Sequence, residues 1–163
     1  MNFKNDRYKT LVLPPRIKIL EALGAIADER IRVLDEKNAE VVSSDGSRKY
    51  HVYVDINNGI VSSNDNGTRY RGYIGYPIIA FLMLKKMLPF DKDIAEALKG
   101  IQWKKLNEKY KRYFIVEKIV KSKATKQGIS PRYIDGFIAQ VISELKKFEF
   151  KMKEEKTDIT SYF

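Results

Sequence analysis

The sequence predicts a mainly α domain of the α+β class, a helical bundle-like body carrying a small antiparallel β meander. Three observations lead there. Apolar residues recur at helical spacing before about residue 35 and again after Pro77. Alternation with a period of two is confined to the middle, roughly residues 39–63, where turn dipeptides punctuate it. The chain has 163 residues, 44% hydrophobic and 12% aromatic, which suits one globular domain with a core of its own rather than a disordered segment.

Met1 to Leu13 shows no clear period and is expected to be a flexible arm. Pro14-Pro15 then starts a helix, because proline in a first turn sacrifices an N–H that would be unpaired anyway. Ile17, Leu20, Leu23 and Ala27 form its stripe, which continues loosely to Ile31 and Leu34. Lys49 to Asp55 alternates, with Tyr50, Val52 and Val54 on one face, as in a half-buried strand. Asp45-Gly46 separates it from Ala39–Ser44, and Asn58-Gly59 separates it from Ile60-Val61-Ser62. Both are hairpin signals, since glycine accepts positive φ. Asn64 to Gly67 reads as a polar loop.

Ile78 to Leu84 is apolar all round and is expected as the buried central helix, ended by Pro89. Asp91 or Asp93 can cap the next helix, whose inner stripe is Ile94, Leu98 and Ile101. Phe114, Ile115 and Ile119 mark another. In the last, Ser130 is the cap, Pro131 the first residue, and Ile134, Ile138, Val141, Leu145 and Phe148 the stripe. Residues 14–150 are therefore expected as the single domain. Residues 151–163 are expected as a charged tail, fraying over Lys151–Lys156.

Composition excludes several chemistries. Without cysteine there are no disulfides, iron–sulfur clusters or thiolate zinc sites, and the lone His51 makes no multi-histidine site. No signal-peptide pattern is visible, and the longest apolar run, Pro77 to Leu84, is far short of the roughly 20 residues of a membrane span. A cytoplasmic protein is the expectation. Net charge is +10, and from Ile101 to Lys156 fifteen Lys or Arg stand against seven Asp or Glu. Such a half attracts polyanions through counterion release. A lysine-rich solvated surface is the alternative.

No catalytic constellation is found. Asp45, Asp55, Asp65, Asp91 and Asp93 all sit in turn or cap contexts, and Asp91-Lys92-Asp93 opens a helix rather than lying on a strand. The segment Thr68-Arg69-Tyr70-Arg71-Gly72-Tyr73-Ile74-Gly75-Tyr76-Pro77 is the best binding candidate. Its arginines can fork onto phosphate, its tyrosines can stack on bases, and its glycines permit close approach. The alternative is a surface loop with tyrosine anchors. Trp103 lies among Lys104, Lys105, Lys109, Lys111 and Arg112, and Lys118, Lys121 and Lys123 continue the basic face. The end, Lys156 to Phe163, resembles the sliding-clamp (PCNA) interaction peptide through Ile159, Tyr162 and Phe163, with Lys156 where that peptide begins with Gln.

The order of "LPPRIKILEALG", "YRGYIGYPIIAFLMLKKMLPFDKDIAEALKGIQW" and "KRYFIVEKI" resembles the C-terminal domain of the primase large subunit, over roughly Leu13 to Val120. That domain carries a four-iron cluster on cysteines; Arg16 stands where the first would be. A cysteine-free relative matches the accessory PriX subunits of three-subunit archaeal primases. The resemblance implies a non-catalytic subunit in primer synthesis for DNA replication, with the small catalytic and large subunits, template single-stranded DNA and RNA primer as partners. No cofactor is implied; a nucleoside triphosphate (ATP or GTP) is the ligand. Carried over by motif, Arg69, Arg71 and Lys118 would gather in one pocket on the nucleotide's phosphates, with Trp103 on its base. The retained cations are Arg71, Arg69 in place of a histidine, and Lys118 in place of a second histidine. An arginine of the pattern is lost at Gly75. Lys104, Lys105, Arg112 and Lys121 would meet nucleic acid. A sliding-clamp-associated DNA-binding adaptor is the rival, and a metal-dependent nuclease or nucleotidyltransferase a third option lacking its carboxylates.

Overall fold

The computed structural model describes residues 7–154. Its architecture corrects the predicted bundle. Among the described residues seven helices accompany one mixed sheet of six strands, so the β component is a full layer and not a small meander appended to helices. Likeness to the primase large-subunit domain as a fold is withdrawn with it.

Chain order is β1 (Tyr8–Thr10), α1 (Arg16–Ala27), β2 (Ile31–Val33), β3 (Asn38–Val42), β4 (Lys49–Asp55), β5 (Ile60–Ser63), α2 (Asn66–Arg69), α3 (Tyr76–Leu84), α4 (Lys92–Ala97), α5 (Trp103–Tyr110), α6 (Tyr113–Thr125), α7 (Pro131–Leu145) and β6 (Lys151–Lys153). Across the sheet the order is β1-β6-β5-β4-β3-β2. All neighbours are antiparallel except β5 and β6, which run parallel through the Ile60–Lys151 register.

The three middle strands turn at Gly46 and Gly59, both at positive φ as hairpins of this kind require. Other segments depart from expectation: Asn64 to Gly67, expected as a polar loop, holds the Asp65 cap and the start of α2. Ile31 does not continue α1: the chain reverses at Glu29, in the left-handed region at φ 55°, and Ile31–Val33 becomes an edge strand. Tyr8–Thr10, expected within a flexible arm, pairs with β6. Lys151–Lys153, expected to fray, lies between β1 and β5, where Phe150 and Met152 fill the core. Lysines flank that short strand, but period-two burial of its apolar residue outweighs them.

Helix α3 is buried nearly all round, between the sheet and α1. Its all-apolar sequence follows from that place, because it meets strands on one side and helix on the other. Helices α4, α6 and α7 gather around α1. Asp91 caps α4 by accepting from Ile94 N at 2.9 Å, and Ser130 caps α7 by accepting from Tyr133 N at 3.1 Å. Among the described residues no helix is long and apolar enough to cross a membrane.

Candidate functional site

One cleft of about 570 Å³ opens where α1, the β3–β4 turn, the α2 segment and α5 meet. Lys18 supplies its inner wall. It lies between Ile17 and Ile19, both buried, and its neighbours carry it inward with its aliphatic stem. Its ammonium donates to Glu21, one turn on, at 3.1 Å, and stands 4.8 Å from the centre of the Tyr113 ring. Glu21 is 2% exposed and also accepts from Asn107 Nδ2 of α5 at 2.7 Å. Burial pulls the Lys18 ammonium down, but Glu21, with Tyr73 and Tyr113, more than offsets it, and the net displacement is upward. Lys18 is thus a fixed cation across the ordinary pH range.

The β3–β4 turn supplies the opposite rim. Asp45 accepts from Ser47 N at 3.0 Å and Ser47 Oγ at 2.7 Å. These bonds to Ser47, then those from Ser43 and Lys104, hold its carboxyl well below the usual range against desolvation. Lys104 Nζ reaches Asp45 at 3.3 Å, which ties α5 to the hairpin and brings Arg48 to the cleft.

The third wall comes from the segment 65–76. Asp65 caps α2 and is buried; it accepts from Thr68 N at 3.1 Å and Thr68 Oγ1 at 2.8 Å. Thr68 Oγ1 in turn accepts from Gly75 N at 3.0 Å, so the starts of α2 and α3 are wired together. A Cβ on Gly75 would lie 2.2 Å from Asp65 Oδ2, and one on Gly67 would lie 2.3 Å from the Tyr73 ring. Only glycine lets this loop close. Tyr76 stacks edge-to-face on Tyr50 with centroids 6.2 Å apart. Burial raises the Tyr73 and Tyr76 hydroxyls, so both remain protonated donors at neutral pH.

Six cations line the cleft against three carboxylates, Glu21, Asp65 and Glu108. Two of those carboxylates are already committed to protein donors. Among the described residues no ion pair engages Arg48, Arg71 or Lys111. Lys111 closes α5 in the left-handed region at φ 56°, a conformation a non-glycine residue holds at a cost of about 1–2 kcal/mol. Unpaired cations, neutral hydroxyls and the half-exposed rings of Tyr50 and Tyr113 can together grip phosphate and stack on a planar base. No group of three or more metal-ligating side chains occurs among the described residues.

Of the residues expected here, the cleft gathers Arg71, Trp103 and Lys104. Trp103 is wall rather than stacking platform: it is 3% exposed and its Nε1 would lie 2.5 Å from a Cβ on Gly24. Arg69 does not line the cleft, its guanidinium lying 5.5 Å from the Tyr70 ring centre, and Lys118 lines a separate groove on α6. The single pocket expected for Arg69, Arg71 and Lys118 is therefore corrected to one built on Arg71 alone of the three. Lys105 and Arg112 are exposed outside the cleft. Lys121 is held by Glu117 and Asp135, which also bind Arg16. Ile159, Tyr162 and Phe163 lie outside the described residues. The sequence reading missed Lys18, Arg30, Arg48, Tyr50 and Asn107; a lysine between two isoleucines of a buried stripe, three residues before a glutamate, was the available signal.

Fold and cleft together define an α+β domain with a polar cleft beside its sheet. The chain belongs to the family described as uncharacterised conserved protein UCP014422, matched over residues 11–151. No curated protein and no solved structure matches it.

Proposed function

We propose that this protein binds a nucleoside triphosphate in the cleft and serves as a non-catalytic, PriX-like subunit of an archaeal primase. The observation that carries the nucleotide reading is the set of unpaired cations, Arg48, Arg71 and Lys111, facing tyrosine rings across a space of nucleotide size. Guanidinium forks suit phosphate oxygens, and the excess of cations favours a polyanion over a neutral ligand. The primase setting rests on the order of sequence segments around Arg71 and Trp103, and not on architecture.

The role is positional. The bound nucleotide supplies the 5′ end, and metal-bound carboxylates of the small catalytic subunit join the next nucleotide to it on the template. Fixing two reactants in line is worth several kcal/mol, about 7–11 in favourable cases. Lys104, at the cleft rim, and Lys105 and Arg112, outside it, would meet the template or primer.

Calorimetric titration with ATP tests the reading. Saturable binding that Arg71→Ala with Arg48→Ala weakens by about tenfold or more is expected, since a charge-assisted hydrogen bond contributes about 1.5–3 kcal/mol. ATP binding indifferent to both substitutions, or no binding, overturns the cleft assignment. In the assembled primase, Arg71→Ala is expected to depress de novo initiation and spare extension of a pre-made primer. Equal loss of both overturns the positional role.

A further inference from the structure

Helix α6 has an outer face that the cleft does not use. Between Tyr113 and Lys126 the sole carboxylate is Glu117, and it is turned away to Arg16 and Lys121. What remains outward is basic. Lys118, Ile119, Ser122, Lys123 and Lys126 line a shallow groove of about 430 Å³, at successive spacings of one, three, one and three residues that keep them on one side of the helix. Lys123 is steadied by donating to the Lys99 carbonyl at 2.9 Å, so the groove is bounded by the end of α4. One turn before Lys118 stands Phe114, 59% exposed, an aromatic ring with no core role. The helix then runs directly into Tyr113 and Lys111 of the cleft rim.

We propose that this face of α6, from Phe114 to Lys126, is a second binding site that takes a single-stranded nucleic acid and leads it to the cleft. It goes beyond the nucleotide site and stands on different residues; only the connection to the cleft rests on that reading. Charge decides the class of partner. The face carries three cations without an ion pair, Lys118, Lys123 and Lys126, over about 12 Å of helix, which matches a run of backbone phosphates better than a discrete ligand. Phe114 decides the strandedness. An exposed phenyl ring has a stacking partner in an unpaired base, whereas a duplex keeps its base faces to itself. Ile119 gives the groove an apolar floor on which sugars and bases can lie. One exposed ring and a short apolar floor are too little for a membrane surface, which demands a continuous apolar stripe.

The experiment uses the whole chain and a fluorescent oligothymidylate of about 20 nucleotides. Anisotropy is followed for the natural protein, Phe114→Ala, and the double substitution Lys118→Gln, Lys126→Gln. All three positions are exposed, so the variants keep the fold. Phe114→Ala is expected to weaken the single strand at least about fivefold and a duplex of equal length hardly at all. The double lysine variant is expected to lower the slope of log affinity against log salt by about 1.4, or about 0.7 for each phosphate no longer neutralised. Unchanged oligonucleotide affinity in both variants overturns the proposal. So does a duplex preferred over the single strand, or polyglutamate competing as well as the oligonucleotide. ATP titration of the natural protein is read separately. Oligonucleotide binding sensitive to α6 without ATP binding leaves this site standing and removes the cleft reading; ATP binding with an indifferent α6 does the reverse.

Discussion

Lys111 shows how one residue can serve a site at the expense of the backbone. Its left-handed conformation ends α5 and puts a cation at the cleft rim, where glycine would end the helix without strain. Lys111→Gly should therefore raise stability by about 0.5–1 kcal/mol in denaturant melts while weakening ATP binding. A variant less stable than the natural protein, or with unaltered ATP affinity, refutes the trade. Gly24 makes the opposite case. Its φ is helical, and alanine would normally help a helix, yet the added Cβ would meet the Trp103 indole at 2.5 Å. Gly24→Ala is expected to cost about 1–3 kcal/mol, the usual penalty for overpacking, read as a lower urea midpoint. A neutral or stabilising effect would show that the α1–α5 contact yields freely.

At the scale of elements, the packing of α1 on α6 and α7 is held at its edge by four charges. Arg16 donates to Glu117 at 3.1 Å and to Asp135 at 2.6 Å, and Lys121 donates to the same two carboxylates. The Lys121 hydrogen bond, aided by the Lys121 charge and by Arg16, lowers the Asp135 carboxyl against desolvation. A carboxyl depressed in the folded state contributes stability that is complete above its unfolded value, about 3.9, and lost as pH falls through the folded one. Asp45 and Asp55, held down by Ser47 and by Asn58 respectively, act in the same direction. The melting temperature is therefore expected to be level from about pH 7 to 5 and to fall below about pH 4, with Asp135→Asn shallower on the acid side. An acid limb of the same steepness in that variant would exclude Asp135 from it.

The elements also divide by how legible they were. Where burial period and local chemistry agree, as in α7 with its Ser130-Pro131 start or the strands about Gly46 and Gly59, sequence alone locates them. Helix α5 was missed because only Trp103 of it is buried, so it carries no long apolar stripe. Strands β1, β2 and β6 were missed because three residues are too few for alternation to register. Their pairing comes from partners distant in the chain. The cleft suffered likewise. Arg71 was legible from its glycine-rich setting, and Lys111 only as one of the basic residues near Trp103, whereas Lys18 and Arg48 lie far from both in sequence and meet them only through the sheet and α5.

Across the whole molecule, the sheet depends on its last strand. Phe150 is buried and stacks on Phe148, ring centres 4.9 Å apart, immediately before β6 enters between β1 and β5. Phe150→Ala is expected to cost about 3–5 kcal/mol in chemical denaturation, as for other large core truncations. A loss below about 1 kcal/mol would mean that the β6 end of the core relaxes around the gap.

That insertion sets an order on synthesis. Strand β5 waits, one side bare, until some ninety further residues have been made and Lys151–Lys153 has emerged to occupy it; β1, present from the outset, has no neighbour before then. A ribosome releasing this chain holds helices that can already collapse on one another beside a sheet still open at that flank. The layer is sealed only once β6 has emerged, which makes the nascent protein's exposed backbone, rather than its helices, the natural client of a chaperone.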